Sequence, residues 1–162
     1  MTIKPYLYQI NKKPETNNEV GLPKVRSEKA VILPYGIDGD FNRFRKKKKN
    51  NDPKMALMIL SIDIINQLND EGWPVKPGDL GENLTIGNLN YNTLCPGQKY
   101  SLGTSEIEIS FICDPCSNLN VLPYVGTEKI AEFIKTLVNR RGWYAKVTKP
   151  GKIIERDQFI LI

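Results

Sequence analysis

The run "SEIEISFICDPCSNLNVLPY", Ser105 to Tyr124, sets two of the chain's three cysteines within four residues at the end of an alternating stretch. From Ser105 to Ile112 polar and apolar residues alternate, the period of a strand with one face buried. Beyond Cys116 come two asparagines and a proline, which reads as a loop and not as a helix start. Three chemistries are open for such a pair: a redox dithiol, half of a zinc site, or one reactive thiol with a neighbour. A pair of inert buried thiols is the bland alternative.

Composition narrows the choice. The 162-residue chain contains no histidine, so serine–histidine and cysteine–histidine hydrolase mechanisms are excluded, and the commonest metal ligand is missing. A structural zinc normally takes four sulfur or nitrogen ligands, and the chain offers at most Cys95, Cys113 and Cys116. A thioredoxin-like dithiol needs a helix start that lowers the pKa of its first thiol. What remains is a single functional thiolate at a strand's end. An odd, small number of cysteines argues for a reducing, cytoplasmic setting, and the N-terminus lacks the pattern of a secretory signal. No apolar run is long enough to span a bilayer, so no membrane partner is expected.

The net charge of +5 is local: Arg43, Arg45 and Lys46 to Lys49 place six positive charges in seven positions. A solvated, mobile loop is the expectation, and nucleic acid is not an expected partner. Elsewhere the chain reads as many short strands with Gly and Pro corners. Ala30–Leu33, Asn83–Ile86, "GWYAKV" and "DQFILI" are strands, and "MALMIL" is a strand or the start of a helix. Two helices are clear. One is capped by Ser61 with Ile62, Ile65 and Leu68 on its apolar face and Gly72 at its end. The other is Glu128–Arg140, capped by Thr127. No nucleotide-binding glycine motif is present. A mainly β (α+β) single domain, 1–162, is expected: a small barrel with peripheral helices.

Five ordered blocks, "PYGIDGDFNRFR", "KPGDLGENLTIGNL", "LCPGQKYSLG", "CDPCSNLN" and "NRRGWYAKVTKPGKI", closely resemble the MOSC domains of the small stand-alone bacterial type. MOSC domains are named for the C-terminal domain of molybdenum-cofactor sulfurase. The resemblance implies a β-barrel of the pyruvate-kinase β-barrel-like kind. It also implies that Cys116, in Pro115-Cys116-Ser117-Asn118-Leu119, is the functional thiol and metal ligand, with Cys113 its neighbour. In some members that sulfur ligates molybdenum of a pterin cofactor, and in others it carries sulfur as a persulfide.

Soft thiolates suit such a metal, and a cofactor phosphate needs cations or backbone N–H groups. The candidate cofactor-binding residues are Lys24, Asp40, Arg43, Glu82, Asn83, Arg140 and Arg141. Trp143 and Tyr144 are expected as core or pocket wall. The implied activity is reduction of small N-hydroxylated substrates with electrons from a separate donor protein. The alternative is sulfur transfer from a cysteine desulfurase. Many relatives carry a His-Gly-Gly-type segment where this chain has "KKKKNNDPK", which leaves that pocket edge different.

Overall fold

A computed structural model describes residues 3–42, 45–46 and 49–162. The strands are β1 (Tyr6–Lys12), β2 (Val25–Ser27), β3 (Lys29–Leu33), β4 (Gly36–Ile37), β5 (Leu57–Ser61), β6 (Leu84–Gly87), β7 (Lys99–Leu102), β8 (Ser105–Ile112), β9 (Trp143–Lys149), β10 (Gly151–Ile154) and β11 (Phe159–Leu161). Among the described residues, α1 (Ile62–Asp70) and α2 (Gly126–Thr136) are helices. The fold is mainly β, as the sequence predicts, and of "MALMIL" the last four residues lie in β5, which is buried at every position, while Met55 ends a 3-10 turn.

Eight strands make one mixed sheet in the order β11-β7-β8-β9-β5-β6-β1-β2, and β10-β3-β4 form a second. β5 and β6 run parallel; the other pairings in the two sheets are antiparallel. The large sheet curls back on itself. Tyr6 at the start of β1 bridges Gln158 before β11. The Leu7 N–H donates to the Asp157 carbonyl, and the Arg156 N–H donates to the Leu7 carbonyl, each at 2.8 Å. These bonds satisfy backbone groups that an open edge would leave to solvent. A short bridge, and not a continuous ladder, links the two sides of this curled, barrel-like sheet. Its interior holds Leu7, Ile10, Ile59, Leu84, Ile86, Ile107 and Phe159. Along β8, Ser105, Ile107 and Ile109 point inward while Glu106, Glu108 and Ser110 are half-buried, the alternation expected of this stretch.

α1 starts where Ser61 Oγ accepts the Asp63 N–H at 3.2 Å, and Gly72 follows its end at φ +99°. It buries Ile64, Ile65 and Leu68, with Ile62 only partly covered. α2 departs from expectation. It begins at Gly126, without a side-chain cap, and ends at Thr136, because Asn139 turns to φ +64° and redirects the chain. The segment after Cys116 is also not a plain loop. Ser117–Val121 form a five-residue 3-10 turn, whose i+3 bonding needs no strong helix former. Among the described residues no helix is long and apolar enough to cross a membrane.

Candidate functional site

β8 leads into the cysteine pair. Cys113, not Cys116, follows the strand directly; its N–H donates to the Gly142 carbonyl at 2.8 Å, which ties it to the entry of β9. Residues 113–116 belong to no strand or helix. Cys116 leads the 3-10 turn in an extended conformation and is half-buried, whereas Cys113 is buried; neither is in a disulfide. Both line a cavity of about 410 Å³. Its walls also include Leu22, Met55, Met58, Phe111, Arg141 and Tyr144.

The two thiols have different surroundings. The Cys113 Sγ–H donates to Tyr144 Oη at 3.2 Å. Burial pushes the Cys113 thiol above its ordinary value, and the Arg141 charge and the Tyr144 hydroxyl pull the other way. Burial, then the adjacent Cys113, likewise raise Tyr144. A buried, protonated thiol is a poor nucleophile, so the half-exposed Cys116 is the group open to a ligand. Among the described residues no three His, Cys, Asp or Glu side chains come together around a metal position.

Arg141 is the unusual wall residue. It is 6% exposed, and its Nη1 donates only to Met58 Sδ at 3.5 Å. Its Nε is buried with no hydrogen-bond partner, and among the described residues no carboxylate pairs with it. A buried cation left this way is costly unless an anion completes it. The neighbouring Arg140 does not line the cavity. Its guanidinium makes a bidentate pair with Glu71 at 2.6 and 2.8 Å and caps the Thr136 carbonyl.

Lys24 does line the cavity, but its charge is committed. Nζ lies 2.6 Å from Asp40 Oδ1 and 3.1 Å from the Phe41 carbonyl. Burial depresses the Lys24 ammonium, and Asp40 opposes the shift. Asp40 also accepts from the Lys13 N–H and from Asn83 Nδ2, each at 2.9 Å. Asn83 Oδ1 accepts the Met58 N–H at 3.1 Å. Four of the predicted residues therefore sit together, yet Asp40, Asn83 and Glu82 brace the wall from behind.

Glu82 is fully buried. Its Oε1 accepts from the Gly78 N–H and from Thr85 Oγ1, while Oε2 has no partner. Burial pushes its carboxyl up to about 7 against those donors and the Arg141 charge. Gly78 explains why the "PGDLGEN" turn needs glycine: at φ +92° a Cβ would lie 2.5 Å from the Lys24 carbonyl oxygen.

The basic segment differs from the solvated loop expected of it. Arg45 is buried, and its Nη1 donates to the carbonyls of Tyr35, Met55 (3.3 Å) and Ala56 (3.1 Å). These bonds hold the guanidinium against backbone carbonyls that need a donor. Lys46 and Lys49 are exposed, and Lys49 reaches the cavity rim. Arg43, with Lys47 and Lys48, lies outside the described residues. Sequence reasoning missed Met55, Met58 and Phe111 as cavity walls, and Asn11 and Thr85 as members of the buried network. The signal for Thr85 was a polar residue between Leu84 and Ile86 in an otherwise apolar strand, whereas Asn11 stands beside Ile10 in a strand of mixed polarity.

The model of the MOSC domain matches residues 46–159, more than half of the chain. This protein belongs to the MOSC domain family. No curated protein matches it. Among solved structures, the YuaD protein of Bacillus subtilis superposes with a TM-score of 0.77 at 19% identity, over 96% of this chain and 94% of that one. YiiM of Geobacillus stearothermophilus gives 0.72 at 20% identity, over 98% and 75%. YiiM of Escherichia coli gives 0.67 at 19% identity, over 100% and 70%. At such identities the likeness is one of fold, and this MOSC domain spans 70–94% of those three chains.

Proposed function

We propose that this MOSC domain holds a molybdenum cofactor through the Cys116 thiolate and reduces small N-hydroxylated compounds with electrons from a separate donor protein. The observation that supports this reading is the pairing, in one cavity, of a half-exposed thiol with a buried guanidinium that forms no ion pair among the described residues. The donor set fits the group. One soft sulfur suits molybdenum, and Arg141 suits an anionic phosphate or a negatively charged metal centre. When bound, the cofactor would supply the two-electron chemistry that reduction of an N–O bond requires, and Cys116 and Arg141 are the residues that would hold it.

The chain's own residues do the rest. Cys116 presents its sulfur from a turn, and Arg141 neutralises charge inside the cavity. Lys24 is paired with Asp40, which Asn83 holds in turn, and this chain of contacts fixes the wall between Gly78 and Met58. Phe111, Met55 and Met58 give an apolar lining that excludes water around the reacting atoms. Glu82, fully buried behind that wall, accepts from the Gly78 N–H and from Thr85 Oγ1 and so fixes the glycine turn.

The test is protein produced in a cofactor-competent host, assayed with a reduced viologen dye and an aromatic hydroxylamine. Formation of amine by the wild type and its loss in Cys116→Ala is the expected result. A molybdenum- and pterin-loaded protein that leaves the hydroxylamine unchanged would overturn the reductase reading. The same open thiol suits a persulfide carrier. In that case desulfurase and cysteine would add one sulfur to the intact mass at Cys116.

A further inference from the structure

The cavity is rich in sulfur. Of the three methionines and three cysteines in the chain, Met55, Met58, Cys113 and Cys116 all line it. Met55, Met58, Cys113 and Tyr144 pack as a cluster separate from the main core. Thiolates and thioethers together select a soft, electron-rich cation and discriminate against magnesium, calcium and manganese.

Charge points the same way. Binding a monovalent soft ion to both cysteines converts two neutral thiols and the cation into an anionic complex. With copper(I) the balance is Cu⁺ plus two S–H giving Cu(S)₂⁻ plus two protons released to solvent, with no change of oxidation state. The complex carries one negative charge. Arg141 is the matching positive charge: it is 6% exposed, its Nε is without a partner, and no carboxylate among the described residues pairs with it. A hard dication held by carboxylates would instead be repelled by that guanidinium.

We propose that this cavity is a copper(I) site in which Cys113 and Cys116 are the two thiolate ligands, Met55 and Met58 supply adjoining thioether sulfur, and Arg141 neutralises the complex. Cys113 turns its sulfur from Tyr144 toward the cavity. Its backbone stays fixed to Gly142, and Cys116 closes from residues that belong to no strand or helix. The site needs only the bare chain, so it stands apart from molybdenum binding. Both use the Cys116 sulfur, and occupancy by one excludes the other.

The test is anaerobic titration of the metal-free protein into the coloured copper(I)–bathocuproine disulfonate complex, followed by copper-edge X-ray absorption. One copper per chain is expected to leave the chelator, with only sulfur neighbours at the metal. Cys113→Ala and Cys116→Ala should each abolish the transfer, and Arg141→Gln should weaken it about 10-fold, the usual scale for a group supporting a metal's ligands. Cys95→Ser, at an exposed cysteine away from the cavity, should leave it unchanged. Circular dichroism of each variant checks its fold, and the sulfur count on the wild type does not depend on any variant folding. No transfer at equimolar protein, nitrogen or oxygen neighbours at copper, or unchanged affinity in Cys113→Ala would overturn the proposal.

Discussion

Deleting the Asp40 carboxylate strands a buried ammonium. Lys24 and Asp40 side chains are only 5% and 8% exposed, with Nζ and Oδ1 2.6 Å apart. Breaking a buried pair from one side costs about 3–5 kcal/mol. The Lys13 N–H and Asn83 Nδ2 lose their acceptor as well, adding about 1 kcal/mol each. Against this, Lys24 is already pushed toward its neutral form by burial and sheds part of the penalty by losing its proton. The net expectation for Asp40→Ala is a loss of about 4 kcal/mol at neutral pH, a large share of the roughly 5–15 kcal/mol that holds a domain together. Lys24→Met alone should cost about 3 kcal/mol, since the Asp40 charge keeps its two other donors. The double variant Lys24→Met/Asp40→Ala removes both charges and should cost about 2 kcal/mol, chiefly the two donors left without an acceptor. Urea unfolding of the four proteins at constant m closes the cycle. Single losses below about 1 kcal/mol, or no coupling between the sites, would refute the reasoning.

Glu82 makes stability depend on pH. Its folded carboxyl titrates near 7 against an ordinary 4.5, so between those values the folded state keeps a proton that the unfolded state has lost. Its contribution is complete below about 4.5 and declines as pH rises through 7, by roughly 3 kcal/mol in all. Glu82→Gln should flatten that part of the profile, and equal slopes for both proteins in urea midpoints from pH 5 to 8 would contradict it. Gly78→Ala forces a Cβ against the Lys24 carbonyl at a positive φ. It should lower stability by about 1–3 kcal/mol, with an unchanged melting temperature as the adverse result. Arg140→Ala removes the pair with Glu71 and the cap on the Thr136 carbonyl, at a residue that does not line the cavity, so molybdenum loading should match wild type, while Arg141→Gln should reduce it. Equal loading by both variants would disconnect Arg141 from the site.

The strands and the first helix were legible because their signals are local. β8 alternates over eight residues, and Ser61 and Gly72 bracket α1. The end of α2 was not legible, because it depends on Asn139 leaving the helical region and on Arg140 reaching Glu71, 69 positions away. The cavity shows the same division. Cys116 and Arg141 stand in short motifs, and both line it. The roles of Asp40 and Asn83 come from contacts between segments 16 to 43 positions apart, and their positions in the motifs do not say whether they face ligand or Lys24. Arg45 belonged to a charge run whose composition suggested solvent, and only the carbonyls of Tyr35, Met55 and Ala56 reveal why it is buried.

Cys116 is the residue on which the functional account turns. Molybdenum should be quantified in wild type and Cys116→Ala protein purified side by side from a cofactor-competent host. About one metal per chain in the first and almost none in the second, with both equally folded, is the predicted outcome. Equal molybdenum in the two proteins, or none in the wild type, would contradict it.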